Sequence, residues 1–209
     1  GFLKLPHDSD LKNVSVTRLS FAIIAGTLTV YMVPGLWGAP LKLVSGLPPP
    51  MHYSESPNGV GKSSIGSVDI VKEVQGQKAG PLGILAFHDY EEGLAYAKEV
   101  GKPLFLDFTG HGCQNCRKME EQVWPDERVA KILNEDVILV SLYVDDRTKI
   151  PESQWKIEKY GGKEFHIRTI GKKWSYLQAS KFNRNAQPYY VLINHEGDQI
   201  GGSAGYNPD

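Results

Sequence analysis

The chain has 209 residues, 41% of them hydrophobic, and a formal net charge of −1. That composition is ordinary for a globular chain, and its near-neutral balance lacks the concentrated basic surface that polyanion binding needs, so no nucleic acid is expected as a partner. The two cysteines, Cys113 and Cys116, exclude a secreted scaffold stapled by several well-separated disulfides, and a bridge closing so short a loop removes little chain entropy.

Residues 1–17 read as a polar loop and residues 18–41 as a transmembrane helix. From Leu19 to Leu41 there is no charged residue, and the run is long enough to cross the roughly 30 Å hydrocarbon layer. A buried core helix and a cleaved signal peptide are the competing readings. Pro34, Gly35, Gly38 and Pro40 weaken the second half as a regular helix, although membrane helices tolerate both residue types. The charged leader and the lack of a small-residue cleavage site speak against a signal peptide. Lys4, Lys12 and Arg18 precede the span and only Lys42 follows it closely. Basic residues stay on the cytoplasmic side, so the rest of the chain is expected outside the cytoplasm, which in a Gram-negative cell is the periplasm. The chain opens with glycine and stops at "GYNPD" shortly after a strand-like run, the pattern expected of a fragment.

Residues 42–80 are rich in Pro, Gly and Ser without a sustained apolar period and read as a linker. Within them "GVGKSS" resembles the end of a phosphate-binding loop, but Ser56 stands where that motif needs its first glycine, and no strand precedes it. From residue 81 to residue 209 helix and strand signals alternate, as in an α/β domain. "DYEEGLAYAKEVGK" has Leu94, Ala97 and Val100 at helical spacing and ends at Gly101. "PLFLDF" suits a buried strand, "CQNCRKMEEQVW" a helix, "PDERVAKILNE" a second helix entered through proline, and "VILVSLYV" another buried strand. Residues 145–173 are polar, mix basic, acidic and aromatic residues, and read as a solvated insertion. "WSYLQASKFN" then predicts a helix, and "PYYVLIN" and "DQIGGSAGY" predict strands around the turn at "NHEG".

A strand running into a Cys-x-x-Cys helix has a chemical consequence. Cys113 falls at the helix N-terminus, where unpaired N–H groups and the helix dipole stabilise a thiolate, the form that attacks disulfides. Cys116, one turn later and less exposed, suits a resolving thiol. Attachment of c-type haem wants histidine after the second cysteine, and Arg117 stands there. A zinc or copper module would need His88, His111, His166 or His195 to complete a site of which the pair supplies half. Positions 113, 116, 117 and 120 share a helix face, which puts Glu120 beneath the thiols, and Asp107 ends the preceding strand. A buried acid there has a raised pKa and can carry the proton that leaves Cys116. The bland alternatives are a solvated helix charge for Glu120 and a strand-end cap for Asp107. His111, two residues before Cys113, is placed either to lower the thiol pKa as an imidazolium or to face solvent between Gly110 and Gly112.

These residues resemble the thioredoxin superfamily and, more closely, the C-terminal domain of the DsbD family of transmembrane thiol:disulfide interchange proteins. The resemblance runs from about residue 82 to the end and rests on "KPLFLDFTGHGCQNCRKME", with aspartate six before the first cysteine and glutamate four after the second. It implies a thioredoxin-like fold, a central mixed sheet flanked by helices whose final helix is missing here, with Asp107 and Glu120 tuning the thiols. It also implies a cis Pro188 in "NAQPYYVLIN", with Gln187 offering backbone groups to an extended substrate segment. His111, Gly112, Gln187 and Pro188 form the implied substrate surface. Residues 1–41 are similar to the last loop and last helix of that family's membrane bundle. The implied activity is a protein-disulfide reductase of the bacterial inner membrane with its domain in the periplasm. It would need no cofactor beyond the Cys113/Cys116 pair, take electrons from an upstream membrane domain and pass them to periplasmic thiol:disulfide proteins. A singly anchored thioredoxin-like reductase for cytochrome c maturation is the nearest alternative. Gly112 stands where thioredoxins usually carry tryptophan, and the stretch 145–173 is longer than in a minimal thioredoxin.

Overall fold

A computed structural model describes residues 13–37, 41–44 and 74–207. The phosphate-loop look-alike and most of the stretch read as linker lie outside the described residues. Helix α1 runs from Val16 to Met32, started by the Ser15 side chain, which accepts from the Arg18 N–H. Past Met32 it tightens into a 3₁₀ turn over Val33–Trp37, where Pro34 lacks the N–H that a regular helix would use. The α-helix therefore begins earlier and ends sooner than the span expected at 18–41. Val16–Leu36, 21 residues, is long and apolar enough to cross a membrane, and none of α1 is buried against other residues.

The domain is built on a six-stranded mixed sheet in the order β1-β2-β4-β3-β7-β8. Its strands are β1 (Gln77–Ala79), β2 (Leu85–Phe87), β3 (Leu104–Thr109), β4 (Ile138–Tyr143), β7 (Tyr189–Ile193) and β8 (Gln199–Ala204). β2, β4 and β3 are parallel, while β1, β7 and β8 each run antiparallel to their neighbours. The sheet thus takes in three residues, Gln77–Ala79, from the stretch read as linker. Around it lie α2 (Tyr90–Val100), α3 (Gln114–Gln122), the short α4 (Glu127–Lys131) with a π turn to Asp136, and α5 (Ile170–Phe182). α2 starts on the Asp89 carboxylate, which accepts from the N–H groups of Glu91 and Glu92, and stops at Gly101 in the left-handed region, the conformation glycine adopts at no steric cost.

Strand alternation sorts the core into two layers. Leu104, Leu106 and Phe108 of β3 and Ile138, Val140 and Leu142 of β4 pack with Tyr90 and Ala97 of α2 and Trp174 of α5. The opposite face carries Leu139, Tyr190 and the partly buried Phe105 against Met119 and Trp124 of the α3 side. The register Asp107↔Ser141 and Asp107↔Tyr190 puts Asp107 on this second face, between β4 and β7.

The polar stretch 145–173 is more ordered than a solvated insertion. β5 (Lys156–Tyr160) and β6 (Lys163–Ile167) form an antiparallel hairpin turned by Gly161 and Gly162 at positive φ. Phe165 meets Tyr176 of α5 edge to face at 5.5 Å. α5 itself starts at Ile170 rather than Trp174, because the Thr169 hydroxyl accepts from the Lys172 N–H. The hairpin escaped sequence reading because mostly exposed strands need few apolar residues to mark their period.

Candidate active site

β3 delivers the chain to a tight turn, Gly110–His111–Gly112, which the Cys113 N–H closes by donating to the Gly110 carbonyl at 3.1 Å. Cys113 is the N-cap of α3, and its sulfur accepts from the Cys116 N–H at 3.2 Å. The two cysteines are joined as a disulfide. Cys113 is half-buried, whereas Cys116 is 1% exposed, so solvent reaches the first residue of the pair and not the second.

Beneath α3 lies a buried charged cluster. Asp107 is 1% exposed and Glu120 6% exposed. Asp107 accepts from the Ser141 hydroxyl at 3.2 Å through Oδ2, and its Oδ1 is buried without a hydrogen-bond partner among the described residues. Arg117, 3% exposed, sets Nη2 2.7 Å from Glu120 Oε1 and donates to Thr109 Oγ1 at 3.0 Å. Its Nε and Nη1 are likewise buried without partners among the described residues.

Burial dominates the titration of the cluster. Loss of hydration pushes the Asp107 carboxyl up to about 7, against the opposing pull of Arg117 and the Ser141 hydrogen bond. Glu120 is pushed up to about 8 by burial, again opposed by Arg117, with the charges of Asp107 and Glu121 adding to the rise. A carboxyl that titrates near neutrality both accepts and returns a proton at physiological pH. Neither carboxyl is a solvated charge, and Asp107 lies inside β3 rather than at its end.

The remaining positions separate by environment. His111 is exposed, and its ring lies on Tyr143 with centroids 4.2 Å apart and planes at 17°. The backbone N–H groups of His111 and Gly112 donate to Asp145 at 2.8 and 2.9 Å. The Gln187–Pro188 bond is cis, and Pro188 is buried at the start of β7. Since Tyr189 is the register partner of Phe108, Pro188 enters across from the end of β3, beside the active-site turn. Gln178 of α5, 0% exposed, holds this segment by donating to the Ala186 carbonyl at 2.8 Å and accepting from Gln187 Nε2 at 3.3 Å. Among the described residues no group of three His, Cys, Asp or Glu converges on a point that could hold a metal ion. Of the histidines considered as partners for the cysteines, His166 lies on the hairpin and His195 in the β7–β8 turn.

Sequence reasoning missed Arg117 as a member of the site and used it only to set haem aside. The signal was present, because position 117 shares the helix face of Cys113 and Glu120. Ser141, Asp145 and Gln178 carried no such signal; each reaches the site from another element.

The molecule therefore has a mixed α/β thioredoxin-like fold with a CxxC disulfide at the N-terminus of α3. The sequence family described as thioredoxin-like matches residues 85–161. Similar solved structures include a DsbH oxidoreductase, at 24% identity over 58% of this chain and 72% of that one with a TM-score of 0.43. A disulphide isomerase from Xylella fastidiosa Temecula1 aligns at 15% identity over 53% and 67%, TM-score 0.35. A thioredoxin from Thermus thermophilus aligns at 21% identity over 59% and 76%, TM-score 0.40. No curated protein matches the chain.

Proposed function

We propose that this protein is a membrane-tethered protein-disulfide reductase of the DsbD kind, with its thioredoxin-like domain in the periplasm. The observation that carries the reading is a half-exposed Cys113 bonded to a buried Cys116 at a helix N-terminus, above two buried carboxyls that titrate near neutrality. The apolar helix Val16–Leu36 supports the tether, and the basic residues before it support the orientation.

In the reduced protein the Cys113 thiolate attacks a substrate disulfide. The substrate S–S bond breaks, a mixed disulfide forms, and the first substrate sulfur leaves and takes a proton from solvent. Cys116 then gives its proton to the Asp107/Glu120 cluster and attacks the Cys113 sulfur, so that the mixed disulfide breaks and the second substrate sulfur leaves. Two electrons pass from the dithiol to the substrate, and a dithiol donor restores the pair. An upstream membrane domain is the proposed donor, and periplasmic thiol:disulfide proteins are the proposed acceptors. His111, Gly112, Gln187 and Pro188 are assigned to the surface that meets the substrate.

Arg117 belongs to this chemistry as the cluster's counter-charge. Two carboxyls so deeply buried would hold their protons well above neutrality without a cation, and could not then accept one from Cys116. The test is a trap. Cys116→Ala, reduced and offered a periplasmic extract or a disulfide-bonded peptide, is expected to accumulate a mixed disulfide through Cys113 that vanishes on reduction. Absence of any such adduct, with Cys113 alkylatable, would overturn the reading.

A further inference from the structure

The tripeptide Gly110–His111–Gly112 links β3 to α3, and the Cys113 N–H closes it on the Gly110 carbonyl at 3.1 Å. Two glycines make it intrinsically loose. The structure anchors it from outside: Asp145, just past the end of β4, accepts the His111 N–H on Oδ1 at 2.8 Å and the Gly112 N–H on Oδ2 at 2.9 Å. Both carboxylate oxygens are thus engaged by the two residues that precede Cys113. The approach is close at position 110, where an added Cβ would lie 3.1 Å from Asp145 Oδ2 and would have to displace the carboxylate slightly. Tyr143, two residues earlier on β4, supports the same tripeptide by stacking under the His111 ring.

The seat is rigid. The Val144 N–H donates to the Thr109 carbonyl at 3.0 Å, and the Asp146 carbonyl accepts the Gly171 N–H at 3.0 Å. An added Cβ at Gly171 would sit 2.5 Å from the Val144 carbonyl oxygen, so the start of α5 presses directly on the backbone that carries Asp145. β3, β4 and α5 together fix where the carboxylate stands.

We propose that Asp145 is a positioning residue that seats the Gly110–Gly112 turn and so makes the Cys113–Cys116 dithiol a stronger reductant. Two physical effects point the same way. An ordered turn holds Cys113 where the bond to Cys116 closes, which favours the disulfide over the dithiol. A carboxylate that occupies the two N–H donors ahead of the nucleophile withholds them from the sulfur and adds negative charge nearby, which disfavours the thiolate. The other charged or titratable groups around the turn are His111 itself, His88 on Tyr143, Asp146, and the buried Arg117, Asp107 and Glu120 beneath α3.

The inference rests on the oxidoreductase reading, and one titration separates the two. The full chain, as wild type, Asp145→Asn, Asp145→Ala and Asp146→Asn, is equilibrated in glutathione buffers, and its dithiol fraction is read by alkylation. Asp145→Asn is expected to shift the equilibrium toward the dithiol by about threefold or more, which is about 14 mV at about 29.6 mV per tenfold. Asp145→Ala should shift it further. Asp146→Asn changes the same charge one residue away while its side-chain oxygen still accepts the Thr148 N–H; it should stay within about 1.5-fold, about a fifth of a decade in the exchange constant. An Asp145→Asn equilibrium equal to wild type, with only the melting temperature lowered, would show a purely structural role and overturn the inference. A shift matched by Asp146→Asn would overturn it as well. Should Asp145→Ala fail to fold, the asparagine variant decides alone. A wild type with no dithiol/disulfide equilibrium at all would overturn the proposed function, and this inference with it.

Discussion

The two faces of the central sheet use the same strands for opposite purposes. Toward α2 and α5, β3 presents Leu104, Leu106 and Phe108, each 0% exposed, to an apolar layer. Toward α3, the alternate residues Asp107 and Thr109 are as deeply buried, yet they meet a hydroxyl and a guanidinium that itself pairs with a second carboxyl. Equal burial stabilises the first face and opposes the second, because a hidden methyl group gains what a hidden carboxylate loses. The α3 face holds charge where the fold would be more stable without it, and that is where the Cys113–Cys116 disulfide sits. Cost and chemistry coincide there.

The largest expected effect breaks the apolar face. Leu106→Ala should destabilise the oxidised domain by about 2–5 kcal/mol, read as a shift of the urea midpoint. Insulin reduction per folded molecule should be retained, since Leu106 faces away from the cysteines. A loss of turnover without a loss of stability would erase the division between the faces.

Asp107→Asn should do the reverse. The Asp107 carboxyl moves from 3.8 when free to about 7 in the fold, so the native state binds this proton more tightly than the unfolded chain. Wild-type stability on this account falls as pH rises from about 4 to about 7 and stays lowered above that. The variant escapes that fall. Its gain should therefore be absent at acid pH, grow through that window and reach on the order of 4 kcal/mol at pH 9, at about 1.4 kcal/mol per pH unit. Release of a mixed disulfide should meanwhile slow by about 10–100-fold at neutral pH. Denaturant titrations at several pH values, paired with stopped-flow exchange, check both signs.

The smallest effect sharpens the role of the cation. Arg117→Met removes the influence that opposes the rise of both carboxyls, so the acid limb of the rate profile should move up by about one pH unit or more, about 1.4 kcal/mol. Arg117→Lys keeps the charge and should move it by less than about half of that. A pH–rate profile with an unmoved limb in Arg117→Met would reduce the guanidinium to a space-filler.

Local periodicity made much of this legible in advance. The apolar run before the cysteines is β3, the stretch after them is α3, and the helix ending at Gly101 is α2. Helical spacing alone placed residue 120 under the thiols. It placed residue 117 there as well, but arginine is so seldom buried that its membership in the site went unrecognised. The hairpin in 145–173 was hidden because its strands are mostly exposed, and the short β1 because it is held by pairing with β2 rather than by a pattern of its own.

By itself the sequence determined which residues share a strand face or a helix face, because those periods are set by backbone geometry within contiguous residues. It thereby determined that two cysteines stand at a helix start with a carboxyl below them. Only the tertiary structure decided what surrounds that carboxyl and what holds the turn. Ser141 and Tyr190 flank Asp107 because β4 and β7 lie on either side of β3, and Asp145 reaches His111 and Gly112 from the end of β4. Such encounters depend on strand order and register. Those are fixed by how the whole sheet buries its two faces, a sum over distant residues that no local pattern contains.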